Sequence, residues 1–364
     1  MCLKMAAVGD AEPADASAAV QPSGARKRRR VAFGSADQYE EMSRLGEGSF
    51  GAVVKARHRD TGQEVAIKHL PNATHSAALR EAFFLVDACA SGGNPFVVTC
   101  HGVVIDPATS GLSLVMENVG PSLSDVLRRH RAARGPPLDE ATVRAAMWQL
   151  LTGASKMNDD AQIVHRDVKP QNILVGGDGH TVLKFCDFGL AMSMSPSEPP
   201  PSYDHVGTLW YQAPELLLEK ETYDARVDVW ALGCVMAEMI NAGRPLFRGS
   251  GDDGQLCAIF SVLGVSDDST WPWFSSTPFA TKGVKELEDM QQRCSILREV
   301  FPETKLSEEG FQVLSGLLTC NPEKRLTAAA ALKHPWFTKV DALELPKKEE
   351  AASFLPKRRR IDAL

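Results

Sequence analysis

Short apolar runs separated by turn residues occupy residues 39–116 of the chain. The runs are AVVKARH, EVAIKHL, FVVTCHG and LSLVMEN, and Gly, Asn and Asp lie between them. Such runs predict the strands of a small antiparallel sheet. One segment, SAALREAFFLVDACA, has helical spacing instead, with Leu79, Phe83 and Val86 on one face and a pair of glycines after it. We therefore expect one helix within this sheet.

After residue 119 the apolar positions follow a helical period. The clearest segments are SLSDVLRRHRAA, DEATVRAAMWQLLTGASKM and VDVWALGCVMAEMI. The fold class predicted is α+β with two lobes, a small β-rich N-lobe at 39–118 and a larger, mainly helical C-lobe at 119–337. Residues 1–38 are rich in Ala, Pro, Ser and charge without an apolar period, so we expect disorder there. Residues 338–364 are predicted to form a C-terminal tail.

Basic charge is concentrated in two clusters, residues 26–30 (RKRRR) and 357–360 (KRRR). The net charge of the chain is nevertheless −6, so the part between the clusters is acidic. Two hypotheses fit the clusters: nuclear-import signals, or solvated charge runs at the chain ends. We expect a nuclear protein, present in the cytoplasm as well, and no direct nucleic-acid binding by the acidic part.

Cysteine usage and hydropathy exclude several other classes. The eight cysteines contain no CxxC pair, which argues against zinc ribbons and disulfide frameworks and for a reducing compartment. No apolar run approaches the length of a membrane span, and the longest candidate, 229–240, contains Glu238. We expect no membrane partner.

Two motifs indicate phosphoryl transfer. Residues 165–172 read HRDVKPQN, and a DFG triplet follows at 187–189. This spacing predicts Asp167 as the acceptor of a hydroxyl proton and Lys169 as a cation beside the moving phosphate, and both are our candidate catalytic residues. Asn172 and Asp187 are predicted to bind a metal, Mg²⁺. A lone HRD tripeptide would be weak evidence. Here HRD is followed at the expected spacing by Asn172 and then by the DFG triplet.

A glycine-rich segment, LGEGSFGAVVKAR, precedes EVAIK and predicts a nucleotide site. Glycines at these spacings let backbone amides approach phosphates that side chains would block. An ordinary tight hairpin is the alternative for the segment alone. Lys68 is expected to clamp the phosphates of ATP, with Glu81 as its anionic partner, although Glu81 alone would fit an exposed helix face. The candidate ATP-binding residues are Leu45, Gly46, Glu47, Gly48, Ser49, Phe50, Gly51, Ala52, Val53, Ala66, Lys68, Glu81, Glu117 and Val119.

Together these residues resemble a serine/threonine protein kinase over about residues 39–337. GTLWYQAPELL is similar to the kinase segment ending in APE, and Lys169 is typical of serine/threonine kinases. By the same resemblance, Asp228 braces the catalytic loop and Arg325 pairs with Glu215. PLFRGSGDDGQLCAIFSVLG resembles a segment of the cyclin-dependent and MAP kinases, and the basic N-terminal segment joined to this kinase body resembles the plant F-type cyclin-dependent kinases. The resemblance implies the bilobal protein kinase fold, ATP, Mg²⁺ and protein substrates such as other kinases or RNA polymerase II tail repeats.

Several regulatory positions depart from the cyclin-dependent kinases. The helix that bears PSTAIRE there reads HSAALRE here, so we expect no cyclin partner and predict a monomer. An arginine cluster that would meet an activating phosphate retains Arg80 and Arg166, whereas Met192 replaces the third member. The candidate phosphosites are Ser202 and Tyr203. Two alternatives remain open, a catalytically silent scaffold and a nuclear adaptor with a kinase fold.

Overall fold

The first part of the fold is a six-stranded sheet with one helix. This computed structural model describes residues 31–48, 51–70, 74–90, 93–135, 137–177, 181–195, 207–220, 222–265, 270–281 and 295–339. The elements are β1 (Phe33–Ser35), β2 (Tyr39–Gly48), β3 (Gly51–His58), β4 (Glu64–His69), α1 (His75–Ala90), β5 (Cys100–Ile105) and β6 (Leu112–Glu117). The strand order in the sheet is β1-β5-β6-β4-β3-β2. Both basic clusters lie outside the described residues.

Strand β1 precedes the predicted start of the sheet. It pairs in parallel with β5, with Phe33 opposite Val103, while the other strand pairs of this sheet are antiparallel. The Val103 amide donates to the carbonyl of Ala32 over 2.8 Å, and the Val31 side chain is buried. The prediction of disorder is therefore wrong for residues 31–38, because these residues pair with a sheet edge and contribute to the core.

Helix α1 is present as predicted, but a different face of it is buried most deeply. Ala78, Ala82 and Leu85 are buried and share that face with Glu81, whereas Phe83 is 40% exposed. The small alanine side chains allow the helix backbone to approach its neighbours closely. This orientation turns Glu81 inward, where it can reach the sheet.

The second part is mainly helical, as predicted. Its elements are α2 (Leu123–Ala132), α3 (Glu140–Ser155), β7 (Ile163–Val164), β8 (Ile173–Gly176), β9 (Val182–Phe185), β10 (Met192–Ser193), α4 (Pro214–Leu217), α5 (Arg226–Ile240), α6 (Gly251–Leu263), α7 (Pro278–Thr281), α8 (Leu297–Val300), α9 (Glu308–Leu317) and α10 (Ala328–Leu332). Helix α5 is buried from Val227 to Ile240 and forms the centre of this part. None of the helices in the described ranges has the length and apolarity that a membrane crossing requires.

Two short strand pairs bring the motif-bearing loops together. Strand β8 pairs with β9, with Ile173 opposite Phe185, and β10 pairs with β7, with Met192 opposite Val164. The HRDVKPQN segment connects β7 to β8, and the DFG triplet lies between β9 and β10. Since the four strands pair in this way, the two loops must lie side by side.

Candidate active site

The Lys68 ammonium group lies between two carboxylates from different elements. Its Nζ is 2.7 Å from Oε1 of Glu81 on α1 and 2.8 Å from Oδ1 of Asp187. The side chains of Lys68 and Glu81 are each only 6% exposed. The contact predicted between Lys68 and Glu81 is present, and Asp187 joins it.

The charges of this group follow from burial and mutual attraction. Burial acts to lower the pKa of Lys68, but Glu81 and Asp187 outweigh it and hold the pKa above its ordinary value. Burial also raises the pKa of Glu81 despite the nearby ammonium. For Asp187 the attraction of Lys68 outweighs burial, so its pKa is lowered. Lys68 therefore remains a cation, and Asp187 remains an anion, the form in which a carboxylate binds Mg²⁺.

Asp228 on α5 braces the segment that contains Asp167. Its Oδ2 accepts a hydrogen bond of 2.8 Å from the His165 amide, and its Oδ1 accepts one of 2.9 Å from the Arg166 amide. This is the bracing contact that the resemblance implied. The His165 ring is buried and its Nε2 lies 3.0 Å from the carbonyl oxygen of Cys186, so it links the two loops structurally.

Asp167 is the centre of a hydrogen-bonding network. Its Oδ2 accepts Nζ of Lys169 over 2.7 Å and Nδ2 of Asn172 over 2.9 Å. Its Oδ1 accepts both the amide and the hydroxyl of Thr208, each over 3.0 Å, and Lys169 also donates to that hydroxyl over 2.7 Å. Sequence reasoning missed Thr208, although it lies within the GTLWYQAPE segment. The predicted catalytic pair is thus brought together with a threonine from a distant loop.

The oxygens of Asn172 and Asp187 suit a magnesium ion. Asn172 uses its amide nitrogen to donate to the carbonyl and the side chain of Asp167, which leaves its amide oxygen as a ligand atom. Mg²⁺ is commonly held by one or two protein oxygens together with substrate phosphates and water. Within the described ranges no group of three or more His, Cys, Asp or Glu residues is placed to hold a metal ion.

The glycine-rich hairpin is formed by β2 and β3. Gly46 lies opposite Val53 and Gly48 opposite Gly51, which has φ of +132°. A Cβ added to Gly46 would meet no atom within 4 Å, so the backbone there is open to a ligand. Ser49 and Phe50 lie outside the described residues. The predicted positions that the structure places in this hairpin are Leu45, Gly46, Glu47, Gly48, Gly51, Ala52 and Val53.

Glu117 and Val119, two of the candidate ATP-binding residues, lie at the end of β6 and just after it. Ala66 pairs with Met116 on β6, and Glu117 is the last residue of that strand. The Glu117 carboxylate accepts Nζ of Lys184, so this side chain is already paired within the protein. Val119 lies against Gly176. A Cβ added to Gly176 would be 2.7 Å from the Val119 side chain and 2.7 Å from the Val119 carbonyl oxygen. The Glu117 amide donates a hydrogen bond to the carbonyl of Thr99 over 3.0 Å, so the carboxylate and the amide of Glu117 both have partners within the protein.

Further contacts anchor the segment that ends in APE. Arg325 pairs with Glu215 through two bonds of 2.7 Å each, and both side chains are buried. This bidentate pair is the one implied by the resemblance. Gln212 Nε2 lies 3.4 Å from the carbonyl oxygen of Gly207. Ser202 and Tyr203 lie outside the described residues.

Comparison with known proteins agrees with this geometry. Residues 39–337 match the family of the protein kinase domain. A protein of Oryza sativa subsp. japonica, provisionally named cyclin-dependent kinase F-2, is 44% identical over 313 residues, which are 84% of this chain and 91% of that protein. Cyclin-dependent kinase 20 of Danio rerio is 37% identical over 308 residues, 83% of each chain. Cyclin-dependent kinase G-2 of Oryza sativa subsp. indica is 36% identical, and the match covers 90% of this chain but 45% of that relative.

A sheet with a buried Lys–Glu pair, joined to a helical part that carries the HRD and DFG loops, defines a protein kinase, and the chain belongs to that family. Its relatives make it a serine/threonine kinase of the cyclin-dependent-kinase type. The two alternatives, a silent scaffold and a nuclear adaptor, are not favoured. The motif residues that catalysis needs are all present in the sequence.

The replacement Gly207→Ala is expected to lower kcat about ten-fold or more. Gly207 has φ of +97°, and an added Cβ would lie 2.6 Å from the backbone oxygen of Arg166. Alanine would be strained by roughly 1–3 kcal/mol and would displace Thr208 from Asp167. The measurement is steady-state phosphorylation of a generic basic protein. Gly254→Ala, with no atom within 4 Å of its added Cβ, is the control, and equal kcat values would contradict the expectation.

Proposed function

We propose that the chain transfers the terminal phosphoryl group of magnesium-bound ATP to serine and threonine hydroxyls of proteins. The observation that carries the proposal is the network in which Lys169, Asn172 and Thr208 all contact the Asp167 carboxylate. In phosphoryl transfer the protein supplies mainly position and charge. A carboxylate, a cation and a metal-ligand oxygen held together by direct contacts supply both.

Each catalytic residue has a defined part in this proposal. The Asp167 carboxylate accepts the hydroxyl proton while the substrate oxygen forms its bond to phosphorus and the bond to ADP breaks. Lys169 places a compact positive charge beside the transferring group. Its second contact, with the Thr208 hydroxyl, ties this charge to the GTLWYQAPE segment.

The nucleotide would be held from both parts of the fold. Lys68 would bind its phosphates, the amides of the β2–β3 hairpin would approach them, and the backbone at Glu117 and Val119 would meet the adenine. Asn172 and Asp187 would hold the metal through the oxygens described above. When bound, Mg²⁺ neutralises charge on phosphate oxygens.

Loss of Asp167 or Lys68 is expected to abolish most of the activity. Asp167→Asn removes the proton acceptor and Lys68→Met removes the phosphate clamp, so each should lower phosphate incorporation by on the order of 100-fold or more. The assay uses labelled ATP, magnesium and a generic basic protein. Asp253→Asn and Lys333→Met, at exposed positions, are the matched controls. Incorporation that persists in both site variants would contradict the assignment.

We also propose that the protein is active as a monomer without a cyclin. The support is the HSAALRE sequence of α1, which departs from the PSTAIRE sequence that recognises a cyclin in the cyclin-dependent kinases. The same assay with and without candidate cyclins tests this. A large rise in the presence of a cyclin would contradict it.

Nuclear localisation is proposed from the two basic clusters, 26–30 and 357–360. Replacing the basic residues of both clusters by alanine is expected to move a fluorescent fusion from the nucleus to the cytoplasm, because import receptors recognise such clusters. Fluorescence microscopy provides the measurement. The double variant Lys347→Ala/Lys348→Ala is the control for loss of charge in the same tail. Unchanged nuclear accumulation of the cluster variant would refute the proposal.

A further inference from the structure

The guanidinium group of Arg166 is held by two neutral oxygens. Its Nε donates to the carbonyl of Leu190 over 2.7 Å, and its Nη1 donates to the hydroxyl of Tyr223 over 3.0 Å. Tyr223 lies just before α5, far along the chain from Arg166. The arginine side chain therefore connects the catalytic loop, the segment after DFG and the beginning of the central helix.

The backbone of Arg166 needs such support. Its φ is +66°, in the left-handed region that costs a non-glycine residue energy unless its surroundings hold it there. The Arg166 amide donates a hydrogen bond to Asp228. The Arg166 carbonyl oxygen lies so close to Gly207 that a Cβ added to Gly207 would be 2.6 Å from it. Since Arg166 directly precedes Asp167, its conformation determines where the Asp167 carboxylate lies.

The neighbouring contacts also use neutral groups. Arg80 on α1 donates to the carbonyl of Ala191 over 3.2 Å, and Met192 is buried in the β10–β7 pair. In kinases regulated on this segment, a phosphate meets the arginines and orders the loop. Here Arg166 donates to the carbonyl of Leu190 and Arg80 to that of Ala191. Met192 lies in the short β10–β7 strand pair. The start of the segment is therefore held by arginine contacts to its own backbone carbonyls and by a strand pair.

We propose that Tyr223 is a positioning residue, whose hydroxyl holds Arg166 in its catalytic conformation in the unphosphorylated chain. The inference rests on the proposed function and extends it to how the site is regulated. Tyr223 acts through Arg166 and Asp167. Removal of its hydroxyl should therefore slow phosphoryl transfer and leave the affinity for ATP, which depends on Lys68 and the β2–β3 hairpin, unchanged.

The kinetic test compares full-length wild type and Tyr223→Phe after phosphatase treatment, with the phosphatase removed. We expect kcat to fall about ten-fold, with KM for ATP changed by less than about two-fold, since a hydrogen bond to a charged group is lost. Tyr39→Phe is the matched control, because the Tyr39 ring is buried against His58 away from the site. A kcat of Tyr223→Phe equal to that of wild type would overturn the proposal. Loss of wild-type activity on dephosphorylation would overturn it as well.

A second measurement does not depend on turnover. Amide hydrogen exchange of the dephosphorylated proteins should be faster in segments 163–169 and 190–195 of Tyr223→Phe than in wild type, and unchanged there in Tyr39→Phe. Exchange equal to that of wild type in both segments would overturn the proposal. If wild type transfers no more phosphate than Asp167→Asn, the proposed function fails, while the exchange rates still decide the role of Tyr223.

Discussion

The placement of the Lys68 ammonium between the buried carboxylate of Glu81 and the partly exposed carboxylate of Asp187 is the constraint on which the site depends. It joins a strand of the sheet to α1 through Glu81 and to the DFG loop through Asp187. Buried charges cost several kcal/mol each unless they are paired, so loss of one partner leaves an uncompensated charge. The two contacts of Lys68 therefore couple the position of α1 to the conformation of the DFG loop, and both contacts fix the place of the ammonium group that would clamp the phosphates.

Helix α5 provides the rigid base for the other half of the site. Its Asp228 holds two backbone amides of the catalytic loop, and Arg325 anchors the APE segment to the same region through Glu215 and the carbonyl of Arg226. Arg166 and Asp187, at φ of +66° and +63°, are both in a strained backbone region. Such conformations persist where the surrounding structure holds them, as a buried helix and paired strands do here.

The sequence predicted best what depends on local spacing. Asp167, Lys169 and Asn172 lie within six consecutive residues, and the structure brings their side chains together. Thr208 was missed because it is 41 residues from Asp167 along the chain and has no motif of its own.

The remaining misses also have physical reasons. Tyr223 is 57 residues from Arg166 and likewise carries no motif. The deeply buried face of α1 was misjudged because the pattern weights Phe83 above alanine, whereas Ala78 and Ala82 are buried there beside Glu81, whose predicted contact with Lys68 is present. Strand β1 is too short to show a period.

The most direct test is the rate of phosphoryl transfer by Glu81→Gln under single-turnover conditions. The variant keeps the shape of the side chain and removes its charge, which leaves Lys68 with one carboxylate. The account predicts a rate at least about 100-fold below that of wild type, with Glu41→Gln at an exposed position as the control. A Glu81→Gln rate equal to that of wild type would contradict the dependence of the site on this ion group.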